Sequence, residues 1–321
     1  MTRFTRRYFL KAASFFTANA CLSSHYTEAI AAGLEKIFER KQQILWLQGL
    51  SCSGCSVSFL NAENPGPLEI LTNFISLVFH STVSATQGHD VHNVIEKLTG
   101  KGNYTLVVEG AIPVGIPEAC VIGKHPIADV LPPIIKKADS IIAVGTCGSY
   151  GGIPAAEGNL TGAVGVKEFM EKKRIPIEKR LINCPGCPVH PQSIVGTIAY
   201  AVGRGYPPVN ETLLTPDMFY AISTHDECPR FHSWEREIFA EHFGDPEGCL
   251  FKLGCLGPHS FTDCPRRQWN GGVNWCIRAS APCIACTSPL FAKSKSFPFY
   301  RKGEKYHDVT YNDSDRGGDK S

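Results

Sequence analysis

Short apolar runs separated by longer amphipathic stretches organise the first two thirds of the chain. Residues 43–48, 75–80, 104–109, 140–145 and 179–183 each read as a strand, being short, apolar and bounded by turn residues. Between them, residues 90–99, 164–173 and 193–203 read as helices, and residues 27–40 form a polar helical lead-in. The helix expected before the fourth strand is spoiled by Pro132-Pro133. Apolar strands alternating with helices predict an α/β fold in which a doubly wound parallel sheet is covered on both faces. From Tyr206-Pro207-Pro208 onward the pattern gives way to irregular, Gly- and Pro-rich chain with only short helical pieces such as residues 231–242. A sheet domain over residues 41–204, a loop-rich domain over 205–300 and a polar tail over 301–321 are therefore expected.

The N-terminus departs from this plan. Thr5-Arg6-Arg7-Tyr8-Phe9-Leu10-Lys11 is a twin-arginine pattern, and the weakly apolar run behind it, residues 12–20, is too short to span a bilayer. Residues 1–31 thus read as an export leader, with small-residue cleavage triads at Ala18-Asn19-Ala20 and Ala29-Ile30-Ala31. Cys21 follows the first triad, but the residues before it make a poor lipobox, so lipid anchoring is not expected. The twin-arginine route carries folded chains, often with cofactors already inserted, and predicts a periplasmic protein.

Composition narrows the class further. A chain of 321 residues that is 43% apolar and 19% charged is an ordinary soluble globular protein. Its net charge of +2, with no basic tract, gives no basis for nucleic-acid binding. Lys293, Lys295, Arg301 and Lys302 form a basic run that reads as solvated surface, and nothing near the C-terminus is apolar enough for a membrane anchor.

Cysteine supplies the chemistry. Seven of the 14 cysteines fall between His225 and Cys286, in chain rich in glycine and proline. Thiolates are soft ligands for iron–sulfur clusters, zinc or Cu(I), and loops that wrap an inorganic core look like this. Cys52 and Cys55 follow the first strand, Cys147 the fourth, and Cys184 and Cys187 the fifth, at the carboxyl ends where doubly wound sheets bind ligands. A lone Cys-x-x-Cys is more often a redox dithiol, but Gly-flanked Cys147 and Cys187 at neighbouring strand ends make four thiolates that suit a [4Fe–4S] cube. Structural zinc or disulfides in an exported protein remain an alternative, although a chain of this length does not need staples.

Cys52-Ser-Gly-Cys55, Gly145-Thr-Cys-Gly148, Pro185-Gly-Cys-Pro188, His225-Asp-Glu-Cys228 and Cys283-Ile-Ala-Cys286, together with the twin-arginine leader, resemble the small subunit of periplasmic [NiFe] and [NiFeSe] hydrogenases. The resemblance runs from about residue 45 to 299. It implies a flavodoxin-like first domain, an iron–sulfur second domain, and three clusters carrying electrons between a large subunit's Ni–Fe site and an external acceptor. It implies a proximal [4Fe–4S] on Cys52, Cys55, Cys147 and Cys187, and a distal [4Fe–4S] on His225, Cys228, Cys249 and Cys255. The medial cluster falls to Cys264, Cys283 and Cys286, with Cys276 standing where most of the family has proline. A cysteine there completes a [4Fe–4S] in place of a [3Fe–4S], as in the selenium-containing branch.

Further positions follow from the same resemblance. Oxygen-tolerant relatives carry two extra cysteines near the proximal cluster, where this chain has Gly54 and Gly152, so ordinary oxygen sensitivity is expected. Glu109 matches a Val-Glu-Gly segment near that cluster, and serves either proton traffic or backbone capping. Cys184 and Cys120 read as buried structural thiols. The chain itself performs no hydrogen chemistry and requires its large subunit. Lacking a C-terminal helix for cytochrome b, it is expected to use a soluble multihaem cytochrome c. A hydrogen-sensing regulatory small subunit would share the cluster motifs but has no need of Arg6-Arg7.

Overall fold

The computed structural model describes residues 6–19, 25–40, 42–63 and 65–293. Cys21, Lys295, Arg301, Lys302 and the whole tail over 301–321 lie outside the described residues. In chain order the main elements are α1 (Arg6–Asn19), α2 (His25–Arg40), β1 (Gln42–Gln48), α3 (Gly54–Phe59), β2 (Ile75–His80), α4 (His89–Lys101), β3 (Tyr104–Glu109), α5 (Ile127–Lys137), β4 (Ser140–Val144), α6 (Gly145–Tyr150), α7 (Val166–Lys172), β5 (Leu181–Cys184) and α8 (Pro191–Arg204). The strands form one sheet in the order β2-β1-β3-β4-β5, and every neighbouring pair is parallel. This is the flavodoxin-like order, whose ligands bind beyond the carboxyl ends of the strands.

Alternation along the strands divides the core into two layers. Ile44, Trp46, Val107, Ile142 and Ile182 face α1, α2, α3 and α8. Leu45, Leu47, Leu106, Val108 and Ile141 face α4, α5 and α7 on the other side. Helix α2 lies against α8 at a backbone-to-backbone crossing: a Cβ on Gly33 would come 1.9 Å from the Ala199 carbonyl oxygen, and one on Gly203 would come 2.4 Å from the Gly33 nitrogen. Phe16 of α1 is buried on the same layer, and the second candidate cleavage triad, Ala29-Ile30-Ala31, is buried within α2.

Two local expectations are corrected. Pro132-Pro133 does not spoil the helix before the fourth strand, because α5 runs through both prolines. The pair forfeits hydrogen bonds to the Ala128 and Asp129 carbonyls, at about 3 kcal/mol for an interior proline. Burial of Ile127, Leu131, Ile134 and Ile135 outweighs this, at roughly 1.5–3 kcal/mol each. The helical piece expected over 231–242 stops after Phe231–Glu235. Glu237 adopts a left-handed φ of 55°, and the Ile238 N–H turns back to the Ser233 carbonyl at 2.8 Å.

Beyond residue 204 the chain is built from turns, isolated bridges and helices of one turn, such as Leu250–Leu253 and Cys264–Arg267. Its small core comprises Ala240, Leu250, Trp275, Ile277 and Cys283, with Cys228, Cys255 and Cys264 packed against it. No helix among the described residues is long and apolar enough to cross a membrane.

Candidate functional site

Three loops at the carboxyl edge of the sheet carry the first cysteine set. Cys52 is exposed in the loop after β1, Cys55 is buried in α3, Cys147 sits in α6 after β4, and Cys187 lies in the loop after β5. Glycine lets these loops approach. A Cβ on Gly54 would come 3.1 Å from the Cys52 sulfur, and one on Gly145, whose φ is 81°, would come 2.7 Å from the Cys55 sulfur. Burial pushes the Cys55 thiol up, with Glu109, Cys147 and Cys187 adding to the rise. Burial likewise raises Cys187 to about 11, reinforced by Cys147 and Cys52, so the four sulfurs share one neighbourhood.

Glu109 closes the floor of this site. Its side chain is buried and accepts six hydrogen bonds: from Trp46 Nε1 (3.0 Å), Gln48 Nε2 (3.2 Å), Ser51 Oγ (3.1 Å), the Cys55 and Ser56 amides (3.1 and 3.3 Å), and Ser56 Oγ. His80 Nδ1 accepts from the Thr82 and Val83 amides, which leaves the proton on Nε2 to donate to Ser56 Oγ at 3.0 Å. Glu109 thus does more than cap a strand: it anchors the Cys52–Cys55 loop to the end of β3.

The second set lies in the loop-rich region. Cys264, Cys276, Cys283 and Cys286 line one cavity of about 390 Å³, which also touches Cys187 of the first set. Burial lifts Cys264 to about 11 and Cys286 to about 12, and Cys276 adds to the rise at both Cys283 and Cys286. The third set, His225, Cys228, Cys249 and Cys255, lines a narrow cavity of its own with Phe231 and Ile277. Burial raises Cys255 to about 12 and lowers His225 below its ordinary value, favouring the neutral imidazole that binds metal. Phe231 and Trp234 hold the His225 ring edge-on at 5.0 and 5.4 Å.

The three sets adjoin in a row. Cys187 lines the cavity of the second set, and the Thr146 hydroxyl, beside Cys147, donates to the Cys286 carbonyl, linking the first set to the second. The Leu256 N–H, next to Cys255, donates to the Cys283 carbonyl at 2.7 Å, linking the second to the third. Among the described residues, no three His, Cys, Asp or Glu side chains close on a single metal ion. All 13 described cysteines are unpaired.

The sequence model for the C-terminal region of the NiFe/NiFeSe hydrogenase small subunit matches residues 220–300. One described as NADH ubiquinone oxidoreductase, 20 Kd subunit, matches residues 52–201. The periplasmic [NiFeSe] hydrogenase small subunit of Desulfomicrobium baculatum is 39% identical over 92% of this chain and 98% of its own length. The chain belongs to the hydrogenase small-subunit family. The periplasmic [NiFe] hydrogenase small subunit 1 of Nitratidesulfovibrio vulgaris is 33% identical, over 92% of this chain and 93% of that one. The recombinant [NiFeSe] hydrogenase structure from Desulfovibrio vulgaris Hildenborough aligns with TM-score 0.77 and 38% identity, covering 82% of this chain and 98% of that one.

As a hydrogenase small subunit, the chain transfers electrons in company with a large subunit, and its family implies iron–sulfur clusters. The residues fit that cofactor chemically. Thiols raised by burial stay protonated near neutral pH, so a metal core must displace their protons on binding, and soft sulfur donors favour such a core.

Cys184 and Cys120 stay apart from all three sets. Cys184 is fully buried at the end of β5 and donates to Thr197 Oγ1 at 3.3 Å, while Cys120 is half-buried with its sulfur 3.8 Å from the Gln48 carbonyl. Lys293 is half-buried, and burial lowers it, with nearby Glu168 opposing.

Sequence reasoning missed Arg230 and Thr146. Arg230 donates to the Gly248 and Asp245 carbonyls, both at 2.9 Å, and to Ser280 Oγ at 2.8 Å, wrapping the loop that carries Cys249. Thr146 lies between Gly145 and Cys147, and only its adjacency to a candidate ligand marked it in the sequence.

Proposed function

We propose that the chain holds three clusters in a row, as the electron relay of a periplasmic hydrogenase heterodimer. Cys52, Cys55, Cys147 and Cys187 hold a proximal [4Fe–4S]; Cys264, Cys276, Cys283 and Cys286 a medial [4Fe–4S]; and His225, Cys228, Cys249 and Cys255 a distal [4Fe–4S]. When bound, the clusters supply one-electron redox centres between the large subunit's Ni–Fe site and an external acceptor. The observation that carries this reading is that the three ligand sets lie side by side: Cys187 lines the cavity of Cys264, Cys276, Cys283 and Cys286, and the Leu256 N–H, next to Cys255, donates to the Cys283 carbonyl. The medial assignment rests on Cys276, which shares one cavity with Cys264, Cys283 and Cys286. Residues 41–204 form the proximal-cluster domain and residues 205–300 the domain of the other two.

The acceptor is a soluble multihaem cytochrome c with a basic docking face. Around the distal set, Asp226, Glu235, Glu237, Glu241 and Glu247 are exposed, against Arg236 and Lys252 as exposed basic residues. Such a patch steers a cationic partner. Gly54 and Gly152 leave the proximal site without extra thiols. A Cβ on Gly152 would fall 2.8 Å from the Cys147 sulfur, so this site has no room for one, in keeping with ordinary oxygen sensitivity. The twin-arginine leader exports the folded heterodimer.

The test is hydrogen-driven reduction of a basic multihaem cytochrome c by the purified heterodimer at increasing ionic strength. The expected result is bleaching of the visible cluster absorbance by hydrogen, and cytochrome reduction that slows steadily as salt screens the patch. A rate indifferent to salt would contradict the docking face, and an absence of cluster absorbance would contradict the relay.

A further inference from the structure

Thr146 stands where three ligand-bearing loops meet, yet its side chain holds no metal. It is 1% exposed, on the six-residue helix α6 that follows β4 and also carries Cys147. Its hydroxyl donates to the Cys286 carbonyl. The same oxygen accepts from the Gly186 amide at 2.8 Å, and the Thr146 N–H donates to the Gly186 carbonyl at 3.0 Å. One side chain thus ties the Cys147 loop, the Cys187 loop and the Cys286 loop together. Cys187, next in sequence after Gly186, lines one cavity with Cys286 at the same junction.

The hydroxyl is used as both donor and acceptor here, which no apolar side chain of the same shape can match. Losing it leaves two backbone groups unsatisfied in a buried place, the Gly186 N–H and the Cys286 carbonyl. The loops they belong to carry one ligand of the proximal set and one of the medial set. The second junction is tied by backbone, the Leu256 N–H donating to the Cys283 carbonyl at 2.7 Å.

We propose that Thr146 is a positioning residue for electron transfer: its hydroxyl fixes the Cys187 loop against the Cys286 loop and so sets the electronic contact between the proximal and medial clusters. This rests on the proposed ligand sets, and it adds a residue that touches neither cluster.

The test uses the complete heterodimer carrying Thr146→Val and Thr146→Ser, with iron counted in each preparation. In Thr146→Val with full iron, the magnetic interaction between the reduced proximal and medial clusters weakens in EPR, and hydrogen-driven reduction of the medial cluster slows several-fold relative to the proximal. Thr146→Ser, which keeps the hydroxyl, restores both. In the unmodified complex the Gly186 amide, held by the Thr146 hydroxyl, exchanges slowly with solvent, a measurement that needs no variant to fold. Unchanged magnetic interaction and unchanged rate in iron-replete Thr146→Val would overturn the proposal, as would rapid exchange of the Gly186 amide in the unmodified complex. Iron missing from the unmodified complex would instead overturn the ligand sets themselves, and this inference with them.

Discussion

The sheet and the loop-rich region bury their chain with different materials. On the sheet, Ile44, Trp46 and Val107 on one face and Leu45, Leu106 and Val108 on the other are sealed by helices, so apolar packing alone accounts for the core. Beyond residue 204 the central cluster is five residues, one of them Cys283, and three of the side chains packed around it are cysteines. The loops there are tied by single hydrogen bonds and by side chains such as Arg230. An interior lined by thiols is one that a bound metal core would stabilise, as in small metal domains. The first region can stand on apolar packing, and the second is expected to lean on a cofactor.

The largest effect expected from this contrast is on cofactor removal. Stripping iron from the purified complex should abolish amide-exchange protection across residues 220–290 while β1, β3 and β4 keep theirs. Uniform loss in both regions would break the comparison. Next comes Gly145→Val, which combines a left-handed φ of 81° with a Cβ placed 2.7 Å from the Cys55 sulfur. It should cost the complex about four irons, with the proximal EPR signal lost and the others retained.

Glu109→Gln sharpens the boundary between scaffold and site. The amide keeps the shape but sets an NH2 against some of the six donors that now meet a carboxylate, at roughly 1–3 kcal/mol for each donor left unpaired. Removing the negative charge should also raise the proximal reduction potential, measurable by redox titration followed by EPR. The smallest effect is that of pH on the scaffold. Burial, then nearby Arg267, holds His190 down at about 2 from its ordinary 6.5, while the Gln268 carbonyl opposes. The unfolded chain therefore binds the extra proton between those values. The stability from neutral His190 is full above about pH 6.5 and is lost as pH falls, at up to about 1.4 kcal/mol per unit. Chemical denaturation from pH 7 to 4 should show this slope, and His190→Gln should flatten it.

Much of the scaffold was legible because parallel strands read as plain apolar runs. All five strands fell within two residues of where the sequence put them: Gly145 moves from strand to helix, and Lys179 and Arg180 lie in a 3-10 turn, Glu178–Arg180, ahead of Leu181–Cys184. The helix through Pro132-Pro133 was not legible, since local propensity argued against it and only the buried face of α5 explains it. The candidate cysteine and histidine ligands could be named from motif resemblance, but the six donors on Glu109 come from β1, the following loop and α3, and no local pattern gathers them. Thr146 was hidden for the same reason: its partners Gly186 and Cys286 are 40 and 140 residues away.

The most direct test of the three-cluster relay is EPR, oxidised and then reduced, with iron and acid-labile sulfide counting on the purified heterodimer. The prediction is about twelve cluster irons and no isotropic [3Fe–4S] signal in the oxidised state, with Cys276 as the fourth medial ligand. About eleven irons with a strong [3Fe–4S] signal would contradict it and leave Cys276 a bystander in the cavity it lines.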